Sequence, residues 1–250
     1  MRRRRLPLVL AAALLAGCGG SGQGTSAEED TVTVFAAASL TEVFEELAGR
    51  FEEANPGTSV RLSLGPSSGL ARQVLEGAPA DVFASASPRH TEAVVEAGRA
   101  AGPRVFARNV AQIAVPLDDP AGVRSVADLA RPGVKVAVCA PEVPCGRLAQ
   151  EVFAAAGVEV APTTVETDVR AVLTKVALGE VDAGLVYATD VRAAGDRVRG
   201  VDVPAGEGLS TAYPVVLVGD APSAAARAFV DLVLSPTGRE VLGAAGFLPP

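Results

Sequence analysis

The chain has 250 residues, 49 % of them hydrophobic and 20 % charged, with 22 basic against 29 acidic residues and a formal net charge of −7. That length holds one large or two small domains with real cores, and that composition excludes a disordered chain. A net acidic body also argues against nucleic acid as a partner, because that binding needs a basic face.

The N-terminal residues read as a leader. Arg2 to Arg5 precede the apolar run LPLVLAAALLAG, twelve residues long. A helix needs ~20 residues to cross a bilayer core, so residues 1–17 are expected to be a signal peptide. The run ends Leu15-Ala16-Gly17-Cys18, which resembles the lipobox of bacterial lipoproteins, where the cysteine is diacylated and becomes the new N-terminus. Cys18 is therefore the expected lipidation site, and residues 18–30, rich in Gly and Ser, the expected flexible tether. Loss of the leader's four arginines moves the formal charge from −7 to −11. The protein is expected outside the cytoplasm, tied to the outer face of the cell membrane by a lipid on Cys18.

From Thr31 onward strands and helices alternate. The β-rich run TVTVFAA precedes SLTEVFEELAGRFEEANPG, whose Leu40, Val43, Phe44, Leu47 and Phe51 have helical spacing. Asn55-Pro56-Gly57 ends that helix. Strand SVRLSL, helix SGLARQVLEG and strand ADVFASA follow, then helix RHTEAVVEAG and strand NVAQIAVP. Further pairs are GVKVAVC with GRLAQEVFAAAG, and TTVET with DVRAVLTKVALGE. AGLVYAT and TAYPVVLVG are the last predicted strands, before helices SAAARAFVDLVL and TGREVLGAAG. The pattern predicts an α/β chain with mainly parallel sheets and ligand sites at the carboxyl ends of strands.

Gly65-x-Ser67-x-Gly69 has the spelling of a hydrolase nucleophile elbow and sits between a strand and a helix. That reading needs a base. The single histidine, His90, lies only 23 residues after Ser67 and reads as an exposed helix-start residue. Lys135 and Lys175, the only lysines, stand in no S-x-x-K pattern. No catalytic residue and no enzyme activity are expected. Cys139 and Cys145 have five residues between them, two of them prolines, which is not metal or redox spacing. Outside the cytoplasm a disulfide is the default and is preferred here to free thiols.

Four strand-to-helix turns place a small or neutral residue at a helix start. Ser39 with Glu42 spells a capping box; the others are Ser67-Ser68, Pro144-Cys145-Gly146 and Thr167-Asp168-Val169. Free N–H groups and partial positive charge make such ends anion sites. They add up only if they meet in space.

The segments VFAAASLTEVFEELAGRFEE, SSGLARQVLEGAPADVFASA, APEVPCG, DVRAVLTKVALGEVDAGLVYATD and YPVVLV resemble the periplasmic molybdate-binding proteins of ABC importers, from about Val32 to Phe247. The resemblance implies a type II periplasmic-binding-protein fold of two lobes, each with a mixed, mainly parallel sheet flanked by helices, and an oxyanion in the cleft between them. It implies lobes of residues 31–108 with 212–250 and of residues 109–211. It maps the oxyanion-holding positions onto Ser39, Ser67, Cys145, Val169 and Tyr187. The serines would use hydroxyl and backbone N–H, Cys145 and Val169 backbone N–H alone, and Tyr187 its phenol. The family often carries Ala where this chain has Cys145, a swap that a backbone donor tolerates. Arg72 and Arg170 match family positions and read as supporting groups. The implied role is capture of molybdate, and of tungstate, for delivery to an importer permease by a monomer. No cofactor is expected, and molybdenum would be present only as the bound oxyanion. The alternative is a binding protein of the same fold for sulfate or another small anion.

Overall fold

The computed structural model describes residues 30–204 and 210–250. The leader, Cys18 and the tether up to residue 29 lie outside the described residues.

β1 (Asp30–Ala37), β2 (Thr58–Gly65) and β3 (Val82–Ala84) run parallel in the order β2-β1-β3. α1 (Thr41–Ala54) and α2 (Ser67–Leu75) join them, and α3 (Pro88–Glu96) leads out of β3. The spacing read from the sequence is the buried face of α1: Val43, Phe44, Leu47, Ala48 and Phe51 all face the core. β4 (Ala100–Val115) then runs 16 residues. The second half of the chain repeats the alternation with β5 (Val136–Cys139), α4 (Pro144–Ala156), β6 (Thr164–Glu166), α5 (Val169–Ala177), β7 (Ala183–Tyr187), α6 (Ala188–Ala194) and β8 (Arg199–Asp202). β9 (Ser210–Val218), α7 (Ala224–Leu234) and α8 (Pro236–Ala244) complete it.

The strands follow the order β2-β1-β3-β9-β4-β7-β5-β6, with β8 also on β4. β4 pairs antiparallel with β9 through Val110, and from Ala111 onward with β7 and β8. One strand therefore belongs to two sheets. Four ladders among the described residues are parallel and four antiparallel, and each antiparallel one involves β4 or β9. The parallel strands carry the crossover helices, and the antiparallel pair joins the two halves.

Each sheet has its own core. One gathers residues between Ala111 and Val201, among them Ile113, Val136, Leu148, Val172 and Leu185. The other joins β1 and α1 to Phe106, Tyr213, Phe229 and Phe247, and a smaller cluster of Phe35, Leu70, Val74 and Phe83 lies under α2 and α3. Edge-on and tilted aromatic contacts link Phe51, Phe229, Phe44, Phe106 and Tyr213 one to the next, and the last reaches Tyr187 of the second sheet at 6.1 Å between ring centroids.

Four expectations need correction. β4 starts at Ala100, not at Asn109: Gly102-Pro103 reads as a turn, but here it is an exposed bulge within the strand. α6 was not predicted because it follows β7 with no turn residue between them. β8 was not predicted because a four-residue edge strand spelled RGVD carries no apolar alternation. Ser39 forms no capping box: Ala38–Leu40 is a turn of 3-10 helix, α1 begins at Thr41, and no side chain caps it.

Candidate functional site

Six segments meet at one cavity between the two cores. It is lined by Ala37, Ala38 and Ser39 after β1, Gly65, Pro66 and Ser67 after β2, Ala86 after β3, Val143, Pro144 and Cys145 after β5, Asp168 and Val169 after β6, and Tyr187 at the end of β7. All six contributions come from the carboxyl ends of parallel strands, where open α/β sheets bind ligands. Ser39, Ser67, Cys145, Val169 and Tyr187 thus lie around one space, each at most 6 % exposed. The cavity measures about 20 Å³ for the centre of a water-sized sphere; with a sphere radius of roughly 1.4 Å added, that suits a compact ligand about 3 Å in radius.

Apart from the Asp168 carboxylate, the polar groups around it are donors. α2, α4 and α5 all point their first turns at the cavity, and the first N–H groups of a helix have no intrahelical acceptor. The Asp168 carboxylate accepts from Ala171 N at 3.0 Å, so it caps the third residue of α5 and leaves the Val169 N–H free of it. In α4, Gly146 and Arg147 donate back to the Val143 carbonyl, and Cys145 precedes both. The carbonyls of Ala140 and Cys139 crowd Gly146 so closely that a Cβ there would sit 1.9 Å from the Ala140 oxygen. Cys139 and Cys145 are joined by a disulfide that closes the same turn.

The two serines are held from behind. Ser67 Oγ accepts from Ala86 N at 3.0 Å, and Ser39 Oγ lies 2.9 Å from the Tyr213 hydroxyl. Tyr187 differs from both: its buried phenolic oxygen has no hydrogen-bond partner among the described residues. Burial pushes the Tyr187 phenol well above its ordinary range, so it stays a donor. Beneath it, Asp190 Oδ2 accepts from Tyr187 N at 3.0 Å. Burial pushes the Asp190 carboxyl up to about 7, against the opposing pull of the Tyr187 N–H and of Arg170.

The supporting arginines separate. Arg170 at the start of α5 reaches Glu42 of α1 at 2.6 Å, a contact between the two halves. Arg72 lies outside the cavity and lines a neighbouring groove with Glu142 and Glu166. The residues lining the cavity include no histidine or lysine. His90 is half-buried in α3 rather than exposed, and burial, then Arg89 and Arg147, hold its imidazole below the ordinary range. Ser67 therefore has the strand-turn-helix setting of an elbow without a neighbouring base. Among the described residues no group of His, Cys, Asp or Glu is placed to hold a metal ion, and no helix is long and apolar enough to cross a membrane.

Sequence reasoning missed Tyr213 and Asn109. The chain has only two tyrosines, and both stand at this site. Asn109, the polar residue at the head of the predicted run NVAQIAVP, was the other available signal.

Comparison with known proteins fits this geometry. A sequence profile described as bacterial extracellular solute-binding protein matches residues 32–248. The molybdate-binding protein ModA of Mycobacterium tuberculosis is 39 % identical over 97 % of this chain and 95 % of its own. Among solved structures, the periplasmic molybdate-binding protein of Azotobacter vinelandii superposes with a TM-score of 0.76 at 22 % identity, over 88 % of this chain and 99 % of its own. The sulfate-binding protein SubI of Mycobacterium tuberculosis gives 0.74 at 21 % identity, over 88 % and 87 %. At those identities the superpositions establish the shared fold, and that fold hosts more than one anion.

Proposed function

The chain belongs to the bacterial extracellular solute-binding protein family, and from that premise we propose that it captures molybdate, and tungstate with it, outside the cytoplasm and hands it to an ABC importer. The observation that carries this reading is the partnerless phenol of Tyr187, facing a cavity ringed by helix starts and two serine hydroxyls. A buried donor without an acceptor costs about 1–3 kcal/mol, and a tetrahedral oxyanion supplies that acceptor along with those for Ser39, Ser67, Cys145 N and Val169 N.

Such a ring explains how an acidic protein holds a dianion. Neutral donors and helix dipoles desolvate it without a counter-charge. Molybdate and tungstate are fully deprotonated near neutral pH and accept at every oxygen. Monohydrogen phosphate brings an O–H that finds no acceptor in a ring of donors. Sulfate matches molybdate in charge and protonation, so cavity size has to separate them. No bond is made or broken in this role, and the protein acts as a receptor rather than an enzyme.

In our reading residues 31–108 with 212–250 and residues 109–211 are lobes that close on the anion, with the β4–β9 pair as the hinge. The receptor works as a monomer, and a lipid on Cys18 keeps it at the membrane beside the permease. Isothermal titration with molybdate, tungstate, sulfate and phosphate tests the ligand: tight molybdate binding is expected, and sulfate binding of equal strength would overturn the specificity. Labelled palmitate should mark the wild type and not Cys18→Ala.

A further inference from the structure

The polarity of Ser39 is set two residues away from the ligand. Asn109 Oδ1 accepts from Val110 N at 3.0 Å, so the amide nitrogen is the end that faces inward. That nitrogen lies 2.7 Å from Thr189 Oγ1 and 3.4 Å from the Tyr213 hydroxyl oxygen. An amide NH₂ only donates, so the Tyr213 oxygen accepts there. Its own proton needs an acceptor inside a fully buried site, and Ser39 Oγ at 2.9 Å is its one hydrogen-bonded acceptor among the described residues. Ser39 thus accepts a hydrogen bond from behind and has its own hydroxyl proton left for the cavity. Ser67 is set the same way by a backbone group, the Ala86 N–H. The chain of donors runs Asn109, Tyr213, Ser39, ligand.

We propose that Tyr213, oriented by Asn109, is a specificity-determining residue: it fills the acceptor side of Ser39, fixes that serine as a donor, and makes the cavity reject an anion that still carries a proton. Tyr213 touches no ligand and acts through Ser39. The inference rests on the reading of the cavity as an oxyanion site and assigns its discrimination to particular side chains. Burial raises the Tyr213 phenol above its ordinary range, which keeps the proton that the relay needs. The same ring packs edge-on against Tyr187 at 6.1 Å, so it buttresses a donor from each half of the molecule.

Two anions isolate the effect. At mildly alkaline pH sulfate and monohydrogen phosphate carry the same charge, are close in size and differ by one proton. The ratio of their dissociation constants therefore reports donor polarity, while a general loosening of the site cancels. Titration calorimetry on the purified receptor, with molybdate in parallel, should give a high phosphate-to-sulfate ratio for the wild type. Tyr213→Phe should lower that ratio about tenfold or more, because Ser39 can then accept from the phosphate O–H. Asn109→Asp should lower it too, since a carboxylate accepts the Tyr213 proton and reverses the relay. A wild-type ratio near one, or a ratio unchanged in whichever of the two variants folds, overturns the proposal even if overall affinity falls. If the wild type binds sulfate but not molybdate, the ligand assignment fails while the ratio still decides the relay. If it binds none of the three anions, both fall together.

Discussion

Two residues of the cavity lose a hydroxyl with opposite consequences for the protein itself. Tyr187→Phe removes a phenol that has no partner in the protein, so the ligand-free fold should hold its stability or gain up to ~1 kcal/mol. Anion affinity should nevertheless fall roughly 5- to 150-fold, the equivalent of one buried hydrogen bond. Ser67→Ala strands the Ala86 N–H, now bonded to Ser67 Oγ at 3.0 Å, and should lower both affinity and stability by about 1–3 kcal/mol. Thermal melts without ligand, paired with titrations, separate the two cases; a fall in stability for Tyr187→Phe would mean the phenol has a partner. Asp190 adds a pH signature. Its carboxyl is raised by burial to about 7, despite the Tyr187 N–H and the Arg170 charge that oppose burial, with Glu42 and Asp168 raising it further. In the unfolded chain the same group ionises near ~4. Between those values the folded state holds a proton that the unfolded state has lost, so this group makes stability fall as pH rises from ~4 to ~7 and adds no slope above. Asp190→Asn keeps an acceptor for Tyr187 N and should abolish that slope, with a gain on the order of 3–4 kcal/mol at neutral pH. Urea unfolding of both proteins across that window checks it; parallel pH profiles would refute the assignment.

The start of α4 is held by two devices of unequal weight. Gly146 fits against the Ala140 and Cys139 carbonyls, where a Cβ would meet an oxygen at 1.9 Å. Gly146→Ala must therefore shift backbone, not only side chains, and should cost about 1–3 kcal/mol of stability together with anion affinity, because the Cys145 N–H moves with the turn. The disulfide spans a sequence separation of 6, and closing so short a loop contributes about 2 kcal/mol. Replacing both cysteines by alanine should cost no more than that and leave affinity nearly intact, since Cys145 serves through its backbone. Denaturant unfolding and titration of the two variants give the comparison, and a binding defect confined to the cysteine variant would reverse the weighting. Legibility in the sequence follows the same physics. α1, α4, α5 and α7 were readable because each buries one stripe, as Val169, Val172, Leu173 and Val176 do in α5. The helix starts of α2, α4 and α5 were readable as anion-binding ends, and family resemblance supplied the five positions that now share a cavity. What stayed hidden depends on contacts distant in sequence. Ser39 looked like a cap for α1, yet its oxygen is taken by a tyrosine 174 residues away. β8 and the first half of β4 are held by their neighbours in the sheet and not by apolar alternation of their own.

At the scale of the whole molecule, two strands cross between the cores, and closure must act through what lies at the rim. Arg108 and Asn109 of β4 face Ala212 and Thr211 of β9, so both crossings lie side by side. Across the cleft, Arg170 of α5 meets Glu42 of α1 at 2.6 Å, with the two side chains 33 % and 47 % exposed. So wet a bridge contributes little to folding, up to about 1 kcal/mol. Its place matters more than its strength, because it joins residues of different halves and breaks when they part. In the lobe closure proposed above, opening releases the ligand, so the loss should appear in the off-rate. Glu42→Gln should raise the molybdate off-rate about two- to fivefold at low ionic strength, leave the on-rate nearly unchanged, and lose its effect as salt screens the pair. Glu46 supplies the control: it pairs with Arg50 on the same helix at 2.7 Å, with similar exposure, but within one half. Glu46→Gln should leave both rates alone. Stopped-flow binding and displacement of molybdate at low and high salt measure the on- and off-rates of the wild type and both variants. Equal behaviour of the two glutamine variants would show that the Arg170–Glu42 contact makes no contribution to holding the halves together, and that closure rests on the ligand's own hydrogen bonds.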